Sequence, residues 1–298
     1  MSENTTVSTE QHDAAASVPA VVGVLGGGRM GAGIAHAFLV SGADEVVVVE
    51  RDPQSAEAAR GRVESDLAAS LERGKIDGDL NGWAQRLTVS LDRADFARCG
   101  LVVEAVPEDM QLKIDALSDV EKHLGEDAWL ATNTSSLSVD EIASKLARPE
   151  RFCGLHYFNP VPASKLVEVV VGERTSQELT ALASTWVRGL GKTPVVVKDA
   201  PGFASSRLGV AIALEAIRMV EEGVASPEDI DNAMVLGYKF PVGPLALTDI
   251  VGLDVRLGIA EYLESQLGER FAPPQLMRDM VARGELGRKS GTGFYDYS

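Results

Sequence analysis

The stretch Val21-Val22-Gly23-Val24-Leu25-Gly26-Gly27-Gly28-Arg29-Met30-Gly31, continued by Ala32 to Val40 and then by Val46-Val47-Val48-Val49-Glu50, decides the fold. An apolar run gives way to glycines, the glycines to a helical segment from Ile34 to Val40, and that segment to a second apolar run, which is a βαβ pattern. Solid apolar runs belong to parallel strands covered on both faces. Within the loop, Gly26-x-Gly28-x-x-Gly31 has the dinucleotide-binding spacing: Gly26 for the tight turn, Gly28 for close approach of a pyrophosphate, Gly31 for helix-on-strand packing. The helix start at Arg29 and Met30 would offer backbone N–H groups to the phosphates. Glu50 closes the second run 19 residues after Gly31, where a carboxylate would accept hydrogen bonds from ribose hydroxyls. It would repel a 2′-phosphate and favour NAD over NADP, whereas the adjacent Arg51 would tolerate the phosphate.

Further strand-like runs follow at Leu87–Leu91, Leu101–Val103, Ala128–Ala131, Phe152–Leu155, Leu166–Val171 and Pro194–Val197, with helical stretches between most of them. This alternation predicts a Rossmann-type, doubly wound, mostly parallel α/β sheet over residues 19–199. After Asp199-Ala200-Pro201-Gly202 the texture changes, and an all-helical C-terminal domain is expected over residues 200–298. Leu208, Ile212, Glu215 and Met219 mark one long helix, Ser226-Pro227-Glu228-Asp229 starts another, and Pro244 to Leu263 reads as a third. Residues 1–18 hold no Lys or Arg and read as a disordered tail, unlike a secretory or mitochondrial leader.

A chain of 298 residues with 45% hydrophobic content can bury two ordinary cores. No apolar run reaches the ~18 residues of a membrane span, so a cytoplasmic protein is expected. Cys99 and Cys153 have neither framework nor metal-ligand spacing, and no metal is expected. A net charge of −16 argues against nucleic acid as a partner. Anionic ligands must therefore meet local positive charge or backbone N–H groups.

Of the four histidines, His12 lies in the tail, His36 in the first helix and His123 at the end of a charged helix. His156 stands where a strand meets a loop, in Gly154-Leu155-His156-Tyr157-Phe158-Asn159-Pro160. A lone histidine there is more often structural than catalytic. The segment LHYFNPVPASKLVEVV (Leu155–Val170), however, resembles the signature of the L-3-hydroxyacyl-CoA dehydrogenase family, 3-hydroxybutyryl-CoA dehydrogenases included. Similar segments are VEAVPEDMQLK (Val103–Lys113), ATNTSSL (Ala131–Leu137), KDAPGF (Lys198–Phe203) and the C-terminal LGRKSGTGFYDY, so the resemblance covers nearly everything after residue 20.

That resemblance implies hydride transfer between NAD and an acyl-CoA substrate, interconverting a 3-hydroxyacyl and a 3-ketoacyl thioester, with short chains expected. It makes His156 the base for the hydroxyl proton, Glu168 the carboxylate that orients the ring, and Ser135 a hydrogen-bond partner of the substrate's 3-oxygen. Glu168 would otherwise be a costly carboxylate in an apolar strand. Ser135 could instead cap a helix, a task Ser136 or Ser138 can also perform. On the cofactor side the resemblance implies Asn133, Asn159, Glu108, Lys113 and the late Lys289, although Lys289 reads almost equally as a solvated lysine. Coenzyme A would lie over the Glu57–Lys75 helix, with Ser65, Arg73 and Lys75 as candidates.

One position departs from the pattern. The family commonly carries Asn-Arg after Pro-Gly-Phe and two residues, but here Ser206 precedes Arg207, a shorter side chain without the amide fork. A homodimer through the helical domain is also implied, since Leu208, Ile212, Val251 and Leu253 offer more apolar surface than a short domain needs. Alternatives on the same fold are a dehydrogenase of carrier-protein thioesters or of a sugar acid, and a non-catalytic dinucleotide-binding relative.

Overall fold

The computed structural model describes residues 17–298, so the expected tail, apart from Ser17 and Val18, and His12 lie outside it. The strands are β1 (Val21–Leu25), β2 (Glu45–Val49), β3 (Leu87–Ser90), β4 (Leu101–Glu104), β5 (Trp129–Thr132), β6 (Phe152–Tyr157), β7 (Leu166–Val171) and β8 (Thr193–Lys198). The helices are α1 (Arg29–Val40), α2 (Pro53–Glu72), α3 (Leu80–Ala84), α4 (Met110–Glu121), α5 (Val139–Ala143), α6 (Gln177–Gly189), α7 (Ser205–Glu221), α8 (Pro227–Asn232), α9 (Pro244–Val251), α10 (Leu253–Leu267) and α11 (Gln275–Ala282). Two compact units form: residues up to Asn133 with Ile142–Val196, and Thr134–Glu141 with Val197–Ser298.

In the first unit the strands order as β3-β2-β1-β4-β5-β6-β7-β8. The run from β3 through β6 is parallel, and β7 returns antiparallel to β6. Val22, Val24, Val46 and Val48 are fully buried with Ile34, Ala35 and Phe38 of α1, which is why β1 and β2 read as solid apolar runs. The glycine loop is fixed by contact. Gly26 has φ +90°, Gly31 lies so close to the Gly26 carbonyl that a Cβ would sit 1.8 Å from its oxygen, and Gly28 faces open space.

The second unit packs Val210, Leu214 and Ile217 of α7 against Leu245, Ala260, Leu263, Phe271 and Met277. The helix expected from Pro244 to Leu263 is in fact two, because Gly252 at φ +105° ends α9 and resets the phase for α10. Leu253, expected on the outer apolar surface, consequently turns inward and is fully buried. The C-terminal turns are clasped by two buried carboxylates. Asp249 accepts the N–H groups of Phe294 and Tyr295 at 3.0 Å, and Asp231 accepts those of Leu245 and Ala246 and the Tyr295 hydroxyl. Any Cβ on Gly293 or Gly243 would collide with these acids, at 2.1 and 2.2 Å, so the glycines of the C-terminal segment are needed for packing.

The two loop glycines should separate experimentally. Gly31→Ala forces a methyl into a backbone carbonyl and should lower the thermal midpoint by about 5 °C or more, an overpacking cost of ~1–3 kcal/mol or above. Gly28→Ala should leave the midpoint nearly unchanged while weakening NADH binding. Calorimetry with NADH fluorescence titration checks both.

Candidate active site

The carboxyl ends of the parallel strands gather the candidate groups, as expected where ligands bind in open α/β sheets. A cleft of about 790 Å³ opens there, lined by Gly26, Gly28, Arg29, Met30, Glu50 and Val106 among others. Glu50, directly after β2, turns into the loop, and its Oε1 accepts the Gly27 N–H at 2.6 Å. Among the described residues its Oε2 accepts only the N–H of Arg51, at 3.2 Å, which leaves acceptor capacity toward the cleft. Arg51 itself is exposed and bonded to Asp52.

The loop, the open face of Gly28, the start of α1 and the acid after β2 fit a dinucleotide. Arg62 of α2 joins this set without having been foreseen. It donates to the Gly27 carbonyl at 3.2 Å and lines the cleft, bringing positive charge toward a phosphate site. The available signal was its place three residues before Ser65 on a helix that follows the acid. Ser65 shares a second groove with Arg29 and Arg62, whereas Arg73 and Lys75 stand exposed at the far end of α2.

The structure places Lys113 behind the cleft wall. Its ammonium is buried, 2.7 Å from Glu104, 3.2 Å from the Val106 carbonyl and 3.4 Å from Glu108. Glu104, missed in the sequence reading, is fully buried at the end of β4 and also accepts Thr132 Oγ1 at 2.5 Å and the Val106 N–H at 2.6 Å. Burial pushes its carboxyl up, against the pull of Lys113 and these donors. An acid closing an apolar strand, as Glu50 does, was the signal to read.

His156 and Glu168 face each other across the antiparallel β6–β7 pair, in direct register. Nδ1 of His156 lies 2.8 Å from Oε2 of Glu168, and both residues are buried, at 5% and 1% exposure. With the carboxylate ionised, Nδ1 carries the proton and Nε2 is left as an acceptor. Asn133, just past β5, accepts the Tyr157 N–H at 2.9 Å and so ties the end of β6 to its neighbour. Asn159 is exposed on the loop after β6. That loop is held by another residue not foreseen: buried Lys192 donates to the carbonyls of Val161 at 2.6 Å and Ser164 at 2.5 Å. His36 is a packed histidine, bonded to Ser70 at 2.9 Å and lowered in pKa by burial.

In the second unit, Ser138 accepts the Glu141 N–H and takes the capping role that Ser135 could have had. Ser206 donates to the Ser135 carbonyl at 3.3 Å, which brings these two candidates together. Lys289 is held by Asp254 at 2.5 and 2.6 Å, half exposed.

A glycine-loop cleft and a buried histidine–carboxylate pair within one α/β unit define a dinucleotide-dependent oxidoreductase. Residues 21–200 match the 3-hydroxyacyl-CoA dehydrogenase NAD binding domain, and residues 202–297 match the C-terminal domain of the same enzymes. The chain is 42% identical to a probable 3-hydroxybutyryl-CoA dehydrogenase of Deinococcus radiodurans, over 92% of this chain and 99% of the relative. It is 40% identical to the 3-hydroxybutyryl-CoA dehydrogenase of Mycobacterium tuberculosis, with 93% and 98% covered. Among solved structures, (S)-3-hydroxybutyryl-CoA dehydrogenase from Ralstonia eutropha superposes with a TM-score of 0.89 at 38% identity, covering 94% of this chain and all of that one. The chain belongs to the 3-hydroxyacyl-CoA dehydrogenase family, and its cofactor is NAD.

His156→Ala should lower kcat by ~10²–10⁴ in stopped-flow assays while NADH affinity holds. Glu168→Gln should lower kcat at least about tenfold, because a neutral amide no longer stabilises the imidazolium. Near-normal turnover in either variant would remove the pair from the chemistry.

Proposed function

We propose that the chain interconverts (S)-3-hydroxyacyl-CoA and 3-ketoacyl-CoA of short chain length, such as 3-hydroxybutyryl-CoA and acetoacetyl-CoA. The observation that carries this reading is the His156–Glu168 pair at 2.8 Å, buried at a strand end in the unit that holds the dinucleotide cleft. His156 Nε2 takes the hydroxyl proton of the alcohol, and Glu168 stabilises the imidazolium that results. Ser135 hydrogen-bonds the 3-oxygen, and Ser206 fixes the Ser135 backbone and contacts the substrate. When bound, NAD supplies the hydride acceptor. The glycine loop with Arg29 and Met30 cradles its phosphates, Glu50 takes the ribose hydroxyls, and Asn133, Asn159, Glu108, Lys113 and Lys289 support the nicotinamide side. Ser65, with Arg73 and Lys75, is proposed for coenzyme A, and the cytoplasm is proposed as the location.

Acetoacetyl-CoA should be reduced by NADH with a kcat/KM well above that with NADPH, because Glu50 repels a 2′-phosphate. Absence of turnover would overturn the reaction, and a preference for NADPH would overturn the role of Glu50.

The unit carrying α7 to α11 is also proposed to form a homodimer. Leu208, Ile212, Ile250, Val251 and Val255 leave 63%, 36%, 44%, 40% and 45% of their surface exposed, an apolar face of the kind that oligomers cover. Light scattering at micromolar concentration should give twice the mass of one chain, and a monomer would contradict the assignment.

A further inference from the structure

Lys192 is buried in the turn between α6 and β8, and among the described residues no carboxylate pairs with it. Burial draws its ammonium below the ordinary lysine range, with no opposing charge to offset it. A buried charge without a counter-ion is costly and calls for a compensating use. That use is narrow. Nζ donates to two backbone carbonyls, those of Val161 at 2.6 Å and Ser164 at 2.5 Å, 31 and 28 residues earlier in the chain.

The lysine reaches the loop from a fixed base. Gly191, at φ +67°, ends α6, the Lys192 N–H bonds the Val187 carbonyl at 3.1 Å, and the Thr193 N–H bonds the Lys165 carbonyl at 2.7 Å. The loop is seated on its other side against α1. Val161 is buried there, and a Cβ on Gly33 would stand 2.9 Å from the Val161 Cβ. Glycine inside a helix is destabilising, and here the missing methyl lets the loop lie on the helix that begins at the dinucleotide loop. The segment after β6 is thus held from α6 and from α1.

Phe158 begins that segment, and its ring centroid lies 4.4 Å from that of His156, with the planes at 42°. The Glu168 bond fixes Nδ1 of His156 but does not by itself fix the tilt of the ring about that bond. A second ring packed on the imidazole restricts the tilt, provided that Phe158 is itself held in place.

We propose that Lys192 is a positioning residue for the reaction: by holding the loop after β6 it keeps Phe158 against the His156 imidazole and so fixes the ring plane in which Nε2 meets the substrate proton. The inference rests on the reading of His156 as the base. Lys192 acts through Phe158, and its charge takes no part in the proton or hydride transfer.

The test compares acetoacetyl-CoA reduction by NADH in the parent, Lys192→Met, Lys192→Arg, Phe158→Ala and the double variant Lys192→Met with Phe158→Ala. Lys192→Met should lower kcat about 10- to 100-fold, the cost of a small misplacement of a reacting group, while both KM values change less than about threefold. Lys192→Arg, which can still donate to both carbonyls, should recover most of the loss. Phe158→Ala should lower kcat by a similar factor, and the double variant should stay within about twofold of the slower single one, because the two residues act in series. In the free protein, the NMR signals of the His156 ring protons, assigned with His156→Ala, should move in the same direction in Lys192→Met and in Phe158→Ala. A Met variant with a lowered thermal midpoint but parental kcat and parental His156 signals would make Lys192 a stabilising residue only, and overturns the proposal. Losses that multiply in the double variant overturn it too. Near-parental kcat in Phe158→Ala overturns it even if Lys192→Met does not fold. A parent that reduces no thioester sinks the reaction and this inference with it, whereas an active parent with unaffected variants sinks the role of Lys192 alone.

Discussion

A carboxylate inside an apolar strand is tolerable only if something compensates it, and here the compensation is the imidazole 2.8 Å away on the neighbouring strand. Glu168 has one residue directly opposite it in the antiparallel ladder, His156, with Leu155 and Tyr157 opposite Val169 and Val167. The reversal of direction between β6 and β7 is therefore what allows the pair to exist. In a purely parallel continuation the next strand would reach the sheet after a crossover and would not return from the loop that carries Asn159. Lys192 secures the same loop from beneath with two carbonyl contacts. The arrangement orients the ring through Nδ1.

The same device, an acid set into or just after an apolar strand, is used three times in the first unit for three purposes. Glu50 bonds the Gly27 N–H and shapes the phosphate loop. Glu104 bonds the Val106 N–H, Lys113 and Thr132 and shapes the opposite wall of the cleft. Glu168 bonds the base. Glu50 and Glu104 sit where a strand runs out and Glu168 sits within one, so in each case the backbone is fixed by the sheet while the side chain holds a neighbouring group.

Much of this was legible in the linear order of residues, for identifiable reasons. The βαβ unit showed because glycine spacing and solid apolar runs are local signals, and Gly26 makes the turn and Gly31 the close packing that their positions suggested. Interactions that depend on register or on distant partners were less visible. Lys113 was placed beside the cofactor from the resemblance, but its partner Glu104 lies nine residues earlier, on the preceding strand, and draws it inward. The split of one expected helix at Gly252, and with it the inward turn of Leu253, depends on a positive φ that an apolar pattern does not encode. Nor does helical periodicity show that Thr134–Glu141 clusters with the C-terminal helices, a placement held by the bonds of Ser138 and Asp140 to Asp199 at 2.7 and 2.9 Å.

The second unit shows how differently buried charges are treated within one core. Asp231 and Asp249 are buried, and each is surrounded by donors: two backbone N–H groups and a tyrosine hydroxyl apiece. Glycines stand at 243 and 293, where any side chain would collide with those carboxylates. Gly209 beside Arg256 follows the same steric logic, giving up a side chain inside a helix so that a guanidinium can lie against α7, and each of these three buried charges is thus accommodated by a glycine on the segment it packs against.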